Sequence, residues 1–125
     1  MMRKAKAFYI DSENICNFKK FEPYHLFRDV ADGDVVYVFY SNEHQREKVE
    51  KTLNLHKDVR IIYLKCRVDK ECLDEKIKKV IHERYARYVR HIIISSDTDF
   101  TGYIRWNALK KVERRGVQGA SWYKM

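Results

Sequence analysis

Three cysteines, one proline and four glycines in 125 residues leave the chain few covalent staples, helix breakers or flexible joints. Cys16, Cys66 and Cys72 are odd in number and lack C-x-x-C spacing. That argues against a disulfide framework and against structural zinc, and it fits a reducing compartment. The five scattered histidines form no H-x-H or H-E-x-x-H pair, which argues against a zinc enzyme. No apolar run approaches the roughly 18 residues of a membrane span. The opening MMRKAKAFYI lacks the apolar stretch of a secretory signal, so a cytoplasmic location is expected. Repeats, linkers and low-complexity segments are missing too. With 45% hydrophobic and 14% aromatic residues the chain is not a disordered one, and its length suits a single domain over 1–125.

Charge is present in excess of one sign. Twenty-six Lys and Arg against eighteen Asp and Glu leave a net charge of +8. A basic balance favours polyanionic partners, nucleic acid before membrane.

Apolar runs and helical patterns alternate along the chain. Strands are expected at AKAFYI (5–10), VVYVFY (35–40), VRIIYLK (59–65), RHIIIS (90–95) and GVQGASWY (116–123). Pro23 suits the first turn of a short helix over PYHLFRDVA (23–31). A second helix fits NEHQREKVEKTLNL (42–55), with Val49 and Leu53 at i, i+4 spacing. A third fits residues 69–88, with Leu73, Ile77, Val80, Ile81 and Tyr88 on one face. The fourth runs over DFTGYIRWNALKKVERRG (99–116), with Phe100, Ile104, Ala108 and Val112 in line and Gly116 as its stop. Such alternation, with strands apolar almost throughout, predicts an α/β three-layer sandwich around a mostly parallel sheet of about five strands.

In such sheets, sites form beyond the carboxyl ends of the strands. The most apolar run, in IIISSDTDF, delivers Ser96, Asp97 and Asp99 to that edge. The first strand ends in IDSEN and delivers Asp11, Glu13 and Asn14. The third helix starts nearby. Setting Leu73 at zero and advancing about 100° per residue, Ile77 falls at about 40°, Ile81 at about 80° and Tyr85 at about 120°. Asp74, at about 100°, lies inside this apolar wedge, whereas Glu71 and Glu75 fall outside it. An inward acid is costly unless something compensates it.

Four acids from three segments, Asp11, Asp74, Asp97 and Asp99, are thus expected at one edge as catalytic and metal-binding residues. Clustered carboxylates repel, and a Mg²⁺ or Mn²⁺ ion relieves the repulsion. Such an ion also promotes attack on a phosphodiester. Each acid has a plainer reading as well. Asp99 suits an N-cap, Asp11 and Asp97 suit turns, and Asp74 suits a helix dipole. Substrate contacts are expected from Asn14, Ser96 and Lys70 beside the acids, from Tyr40 stacking on a base, and from Lys110 and Lys111 on a basic helix face. Arg114 and Arg115 belong to the same expected face.

FYIDSEN, KECLDEKI and IIISSDTDF, in that order, resemble the PIN-like nucleases and in particular their NYN branch. Asp11 and Asn14 match a D-x-x-N motif, Asp74 a helical aspartate, and Ser95, Asp97, Asp99 and Phe100 an S-x-D-x-D-F motif. Glu71 departs from the asparagine often found at its position. The resemblance spans nearly the whole chain. It implies a PIN-like fold and Mg²⁺- or Mn²⁺-dependent endonuclease cleavage of RNA, single-stranded by expectation. The chain is compact for that family, which implies that any added recognition element is missing or supplied by a partner, a second copy in a homodimer or another protein. Two alternatives stand beside it: a PIN-like module that binds RNA without cutting it, and a phosphohydrolase resembling the haloacid dehalogenases. The second needs D-x-D after the first strand, where this chain has Asp11-x-Glu13.

Overall fold

A computed structural model describes residues 4–15, 26–67 and 70–116. In chain order these form β1 (Lys6–Asp11), a 3₁₀ turn (Ser12–Ile15), β2 (Val35–Tyr40), α1 (Glu43–Thr52), β3 (Arg60–Lys65), α2 (Lys70–Glu83), β4 (Arg90–Ile94), α3 (Asp99–Trp106) and β5 (Val112–Arg115). The strands make one five-stranded sheet in the order β3-β2-β1-β4-β5. Every pairing is parallel. None of the described helices is long and apolar enough to cross a membrane.

A parallel sheet must be covered on both faces, which is why its central strands are apolar without alternation. Side chains of β1, β2 and β4 nonetheless alternate in direction. Ala7, Tyr9, Tyr37, Phe39 and Ile93 meet Leu73, Ile77, Val80 and Ile81 of α2 and Phe100 of α3. On the other face, Phe8, Ile10, Val36, Val38, Ile92 and Ile94 meet Val49 of α1 and the Leu26–Phe27 segment. The result is the three-layer sandwich that the alternation predicts. The start of α1 is fixed by a reciprocal cap: Asn42 Oδ1 accepts from Gln45 N (3.0 Å) and Gln45 Oε1 accepts from Ser41 N (2.7 Å). Of the expected first helix, residues 23–25 lie outside the described residues, Leu26 is helical and residues 27–29 turn.

A buried polar line runs through the α2 face. Tyr9 donates its hydroxyl proton to His91 Nδ1 (2.6 Å), and His91 Nε2 donates to Tyr85 O (3.0 Å). Burial lowers the pKa of His91, so the ring stays neutral with its proton on Nε2. His91 is therefore a satisfied core residue.

The fourth helix departs from expectation. It ends at Trp106, Asn107 is its C-cap, and Ala108 takes a left-handed φ of 51°. Val112–Arg115, expected to be helical, forms β5, and residues 117–123 of the expected fifth strand lie outside the described residues. The i, i+4 series misled because Val112 is buried either way, as a helical residue or as a strand residue facing the core. Ala108 is exposed and breaks the series. Arg115, expected on a solvated helix face, is instead 8% exposed. Its guanidinium donates to both carboxylate oxygens of Asp29 (2.9 and 2.8 Å), to Glu113 Oε2 (2.8 Å) and to Leu26 O (2.8 Å). Arg90 contacts Asp29 and Glu113 from the neighbouring strand. This network ties β5 to the segment that covers the second face.

Two measurements check this account. Ala108 has an exposed side chain and a strained backbone, so Ala108→Gly should stabilise the fold by about 0.5–1 kcal/mol in chemical denaturation. A loss of stability would contradict the left-handed turn. The hydrogen bond from Arg115 holds the Asp29 carboxyl down to about 2. Burial would raise Glu113, but hydrogen bonds from Arg115 and Arg90 outweigh it and its pKa is lowered too. A depressed carboxyl stabilises above its unfolded pKa, and that contribution is lost as pH falls through the folded one. Asp29→Asn should therefore flatten the fall in stability between about pH 4 and about pH 2, leaving the share of Glu113. An unchanged acid limb would rule the network out as its source.

Candidate functional site

The chain steps from β1 outward to β2 and β3, then returns to the other side of β1 as β4. The connections leaving β1 and β4 thus diverge, and the gap between them is the place where α/β sheets bind ligands. Asp11 ends β1 in that gap.

Asp11 continues the row Ala7, Tyr9 and so turns toward α2. It is 0% exposed. Burying a carboxylate is costly unless it is hydrogen-bonded. Ser95 supplies a donor: its Oγ donates to Asp11 Oδ2 at 2.8 Å. The parallel register sets up this contact, since Tyr9 pairs with Ile93 and Ile10 with Ile94, so the next step brings Asp11 beside Ser95. Ser95 is itself fully buried and its Oγ also accepts from Asp97 N (3.0 Å). Asp97 Oδ1 in turn accepts from Asp99 N (2.9 Å). A chain of hydrogen bonds thereby runs from the buried end of β1 through the loop after β4 to the first turn of α3.

This chain redistributes the roles read from the sequence. Thr98 is the N-cap of α3 and makes no side-chain cap; the Asp97 side chain, one residue earlier, receives the amide of Asp99, and Asp99 itself is not the cap. Asp99 opens the helix with an exposed side chain, while Asp97 is half-buried. Asp74 lies in the second turn of α2 and is half-buried with Oδ1 fully covered, while Glu75 is exposed. The helical-wheel angle separated these two acids correctly. Burial pushes the Cys66 thiol up to about 11, aided by Cys72 and by the negative field of Asp11, against the opposing Lys76. Buried and with a raised pKa, Cys66 is an unreactive thiol.

The expected substrate contacts are dispersed. Ser96 is half-buried beside Ser95 but belongs to the opposite parity, so Ser95 and not Ser96 provides the bridging hydroxyl. Tyr40 is 8% exposed on the α1 face, its ring edge-on to Tyr63 at 6.5 Å, which is a packing role. The side chains of Asn14 and Lys70 lie outside the described residues. Lys110 and Lys111 stand just before β5 and so at the amino edge of a parallel sheet, the end away from the acids. Lys110 is exposed, and Lys111 Nζ donates to Tyr88 O (3.0 Å) over the Tyr85 ring. Their helix-face assignment failed together with the fourth helix.

Among the described residues a cation that does approach the acid loop is Arg114, expected instead on a solvated helix face. Its Nη1 donates to Ser95 O (2.9 Å) and its Nε to Thr101 Oγ1 (3.0 Å), pinning the loop from β5. The Asn107 stop signal was the available clue that a strand follows.

Among the described residues, no group of three or more His, Cys, Asp or Glu side chains is placed to hold a metal ion. Mg²⁺ demands less of a protein, binding through one or two carboxylates while keeping waters and substrate phosphates. Comparison with protein-family models, with curated proteins and with solved structures finds no match.

The bridging role of Ser95 is open to measurement. Ser95→Ala removes one donor to a fully buried carboxylate and should cost about 2 kcal/mol of stability. Asp99→Ala, at an exposed position, should stay within about 0.5 kcal/mol. Equal stabilities for the two variants would mean that Ser95 does not hold Asp11.

Proposed function

We propose that the protein is an RNA endonuclease acting at the gap between the ends of β1 and β4, with Mg²⁺ or Mn²⁺ as cofactor. The observation that supports this most is the buried Asp11 carboxylate, held by Ser95 and linked through it to Asp97 at the switch point of a parallel sheet. Asp11 and Asp97 would hold the ion, with Asp74 and Asp99 adding negative charge from the neighbouring helices. A divalent cation supplies neutralisation of charge on the scissile phosphate and acidifies the attacking water.

The chain's own residues carry the rest. Ser95 fixes the rotamer of Asp11 from below, and its second hydrogen bond sets the loop that presents Asp97. Arg114 holds the Ser95 carbonyl, so the loop is clamped from β5 as well as from β1. A net charge of +8 retains the polyanion by counterion release. A second reading, an RNA-binding domain that holds the polyanion without cutting it, rests on the same basic charge.

Incubation of the purified protein with single-stranded RNA and DNA in Mn²⁺, Mg²⁺ or EDTA decides between them. Cleavage of RNA with either metal, its suppression by EDTA, and its loss in Asp97→Asn with an unchanged circular-dichroism spectrum are expected. RNA retained but never cut selects the binding module. Undiminished cutting by Asp97→Asn would remove the proposed site.

A further inference from the structure

At the amino edge of the sheet, opposite the acids, the α2 face is incompletely covered. Helix α2 packs over β1 and β2 and leaves the edge strand β3 half-buried along its length. Between them lies a cavity of about 290 Å³. Its floor is apolar, formed by Val35, Ile62, Leu64 and Val80. Three guanidiniums, Arg60, Arg84 and Arg87, stand around it.

Arg60 opens β3, and the other two follow the end of α2 at i+4 and i+7 from Val80, so one side of that turn presents both. None of the three is in an ion pair with a described carboxylate. Arg84 lies with its guanidinium carbon 5.7 Å from the centre of the Tyr37 ring. Its Nε is buried and has no hydrogen-bond partner among the described residues. A buried donor left so needs an acceptor. Tyr37 and Tyr88, whose hydroxyls lie 2.7 Å apart, also line the cavity. One proton serves their mutual bond, which leaves a second O–H to donate.

We infer that this cavity binds a phosphate monoester carrying a small planar or apolar body, such as a nucleoside 5′-monophosphate. Arginine forks match phosphate oxygens in pairs, and a dianion balances more of three positive charges than a carboxylate does. The apolar floor takes the rest of the molecule. At the lower end of the size range of small-molecule pockets, about 300 Å³, the space suits one nucleotide and not a strand. The site is separate from the acid edge and does not depend on the nuclease reading.

Titration calorimetry of the full chain with adenosine 5′-monophosphate, adenosine and inorganic phosphate tests it. The monophosphate should bind at least about tenfold more tightly than either fragment. Arg60 and Arg87 are exposed, so Arg60→Gln and Arg87→Gln should fold normally, and each should weaken binding about tenfold. Asp97→Asn should leave it unchanged. Competition by an adenosine trinucleotide with a 5′-phosphate assigns the cavity to a nucleic-acid end, and its failure to compete assigns it to the free nucleotide. Either result sustains the site. Adenosine binding as tightly as its monophosphate, inorganic phosphate matching it, or arginine variants binding like the parent protein would each overturn the inference.

Discussion

The hydrogen bond from Ser95 to Asp11 joins the two strands between which the sheet reverses its direction of growth. It depends on a parity: both residues must fall on the same face, in adjacent strands, one step past the last paired residues. A one-residue slip of β4 against β1 would turn Ser95 to the other side and leave a carboxylate buried without this donor. The same slip would move Ile93 out of the core that α2 covers. Apolar packing and polar satisfaction therefore demand one register, and the loop after β4 inherits its position from that agreement.

The fold was legible where the pattern had a single solution. VVYVFY is β2 without adjustment, β3 and β4 are each one residue shorter at an end, and β1 moves one residue along the chain. The inward stripe of α2 was readable because four of its residues recur at helical spacing over a run long enough to exclude a strand. What failed was the stretch from 107 to 116, where residues four apart satisfied a helix on paper while Ala108 adopted a left-handed turn. The error carried into function, because Lys110, Lys111, Arg114 and Arg115 were placed on one surface. In the structure they separate into an amino-edge pair, a clamp on the acid loop and a buried ion pair. Of the acids, their arrival at one edge followed from strand ends, but the order of hydrogen bonds among them did not. That order rests on Ser95, whose significance lies in register between strands 84 positions apart, beyond any local pattern.

Two groups of charge stand apart in the fold. Asp11, Asp97 and Asp99 lie where β1 and β4 end, and Arg60, Arg84 and Arg87, in no ion pair among the described residues, stand around the cavity between β3 and α2. A single excess of positive charge over the whole chain conceals this separation. Net charge therefore does not locate the cations, and those that frame the cavity beside β3 stand apart from the acid loop.

Among the described residues the sheet has two free margins, β3 and β5. Each is short, and each ends in charge: β3 begins with Arg60 and closes with Lys65, and β5 reads Val-Glu-Arg-Arg. Unpaired strand margins are templates on which further chains add, and flanking cations oppose that growth. The arginine that frames the cavity at the start of β3 thus has a second consequence. Its charge at one end of β3, with Lys65 at the other, opposes the addition of a further strand, and Lys65 keeps that opposition when position 60 is neutral.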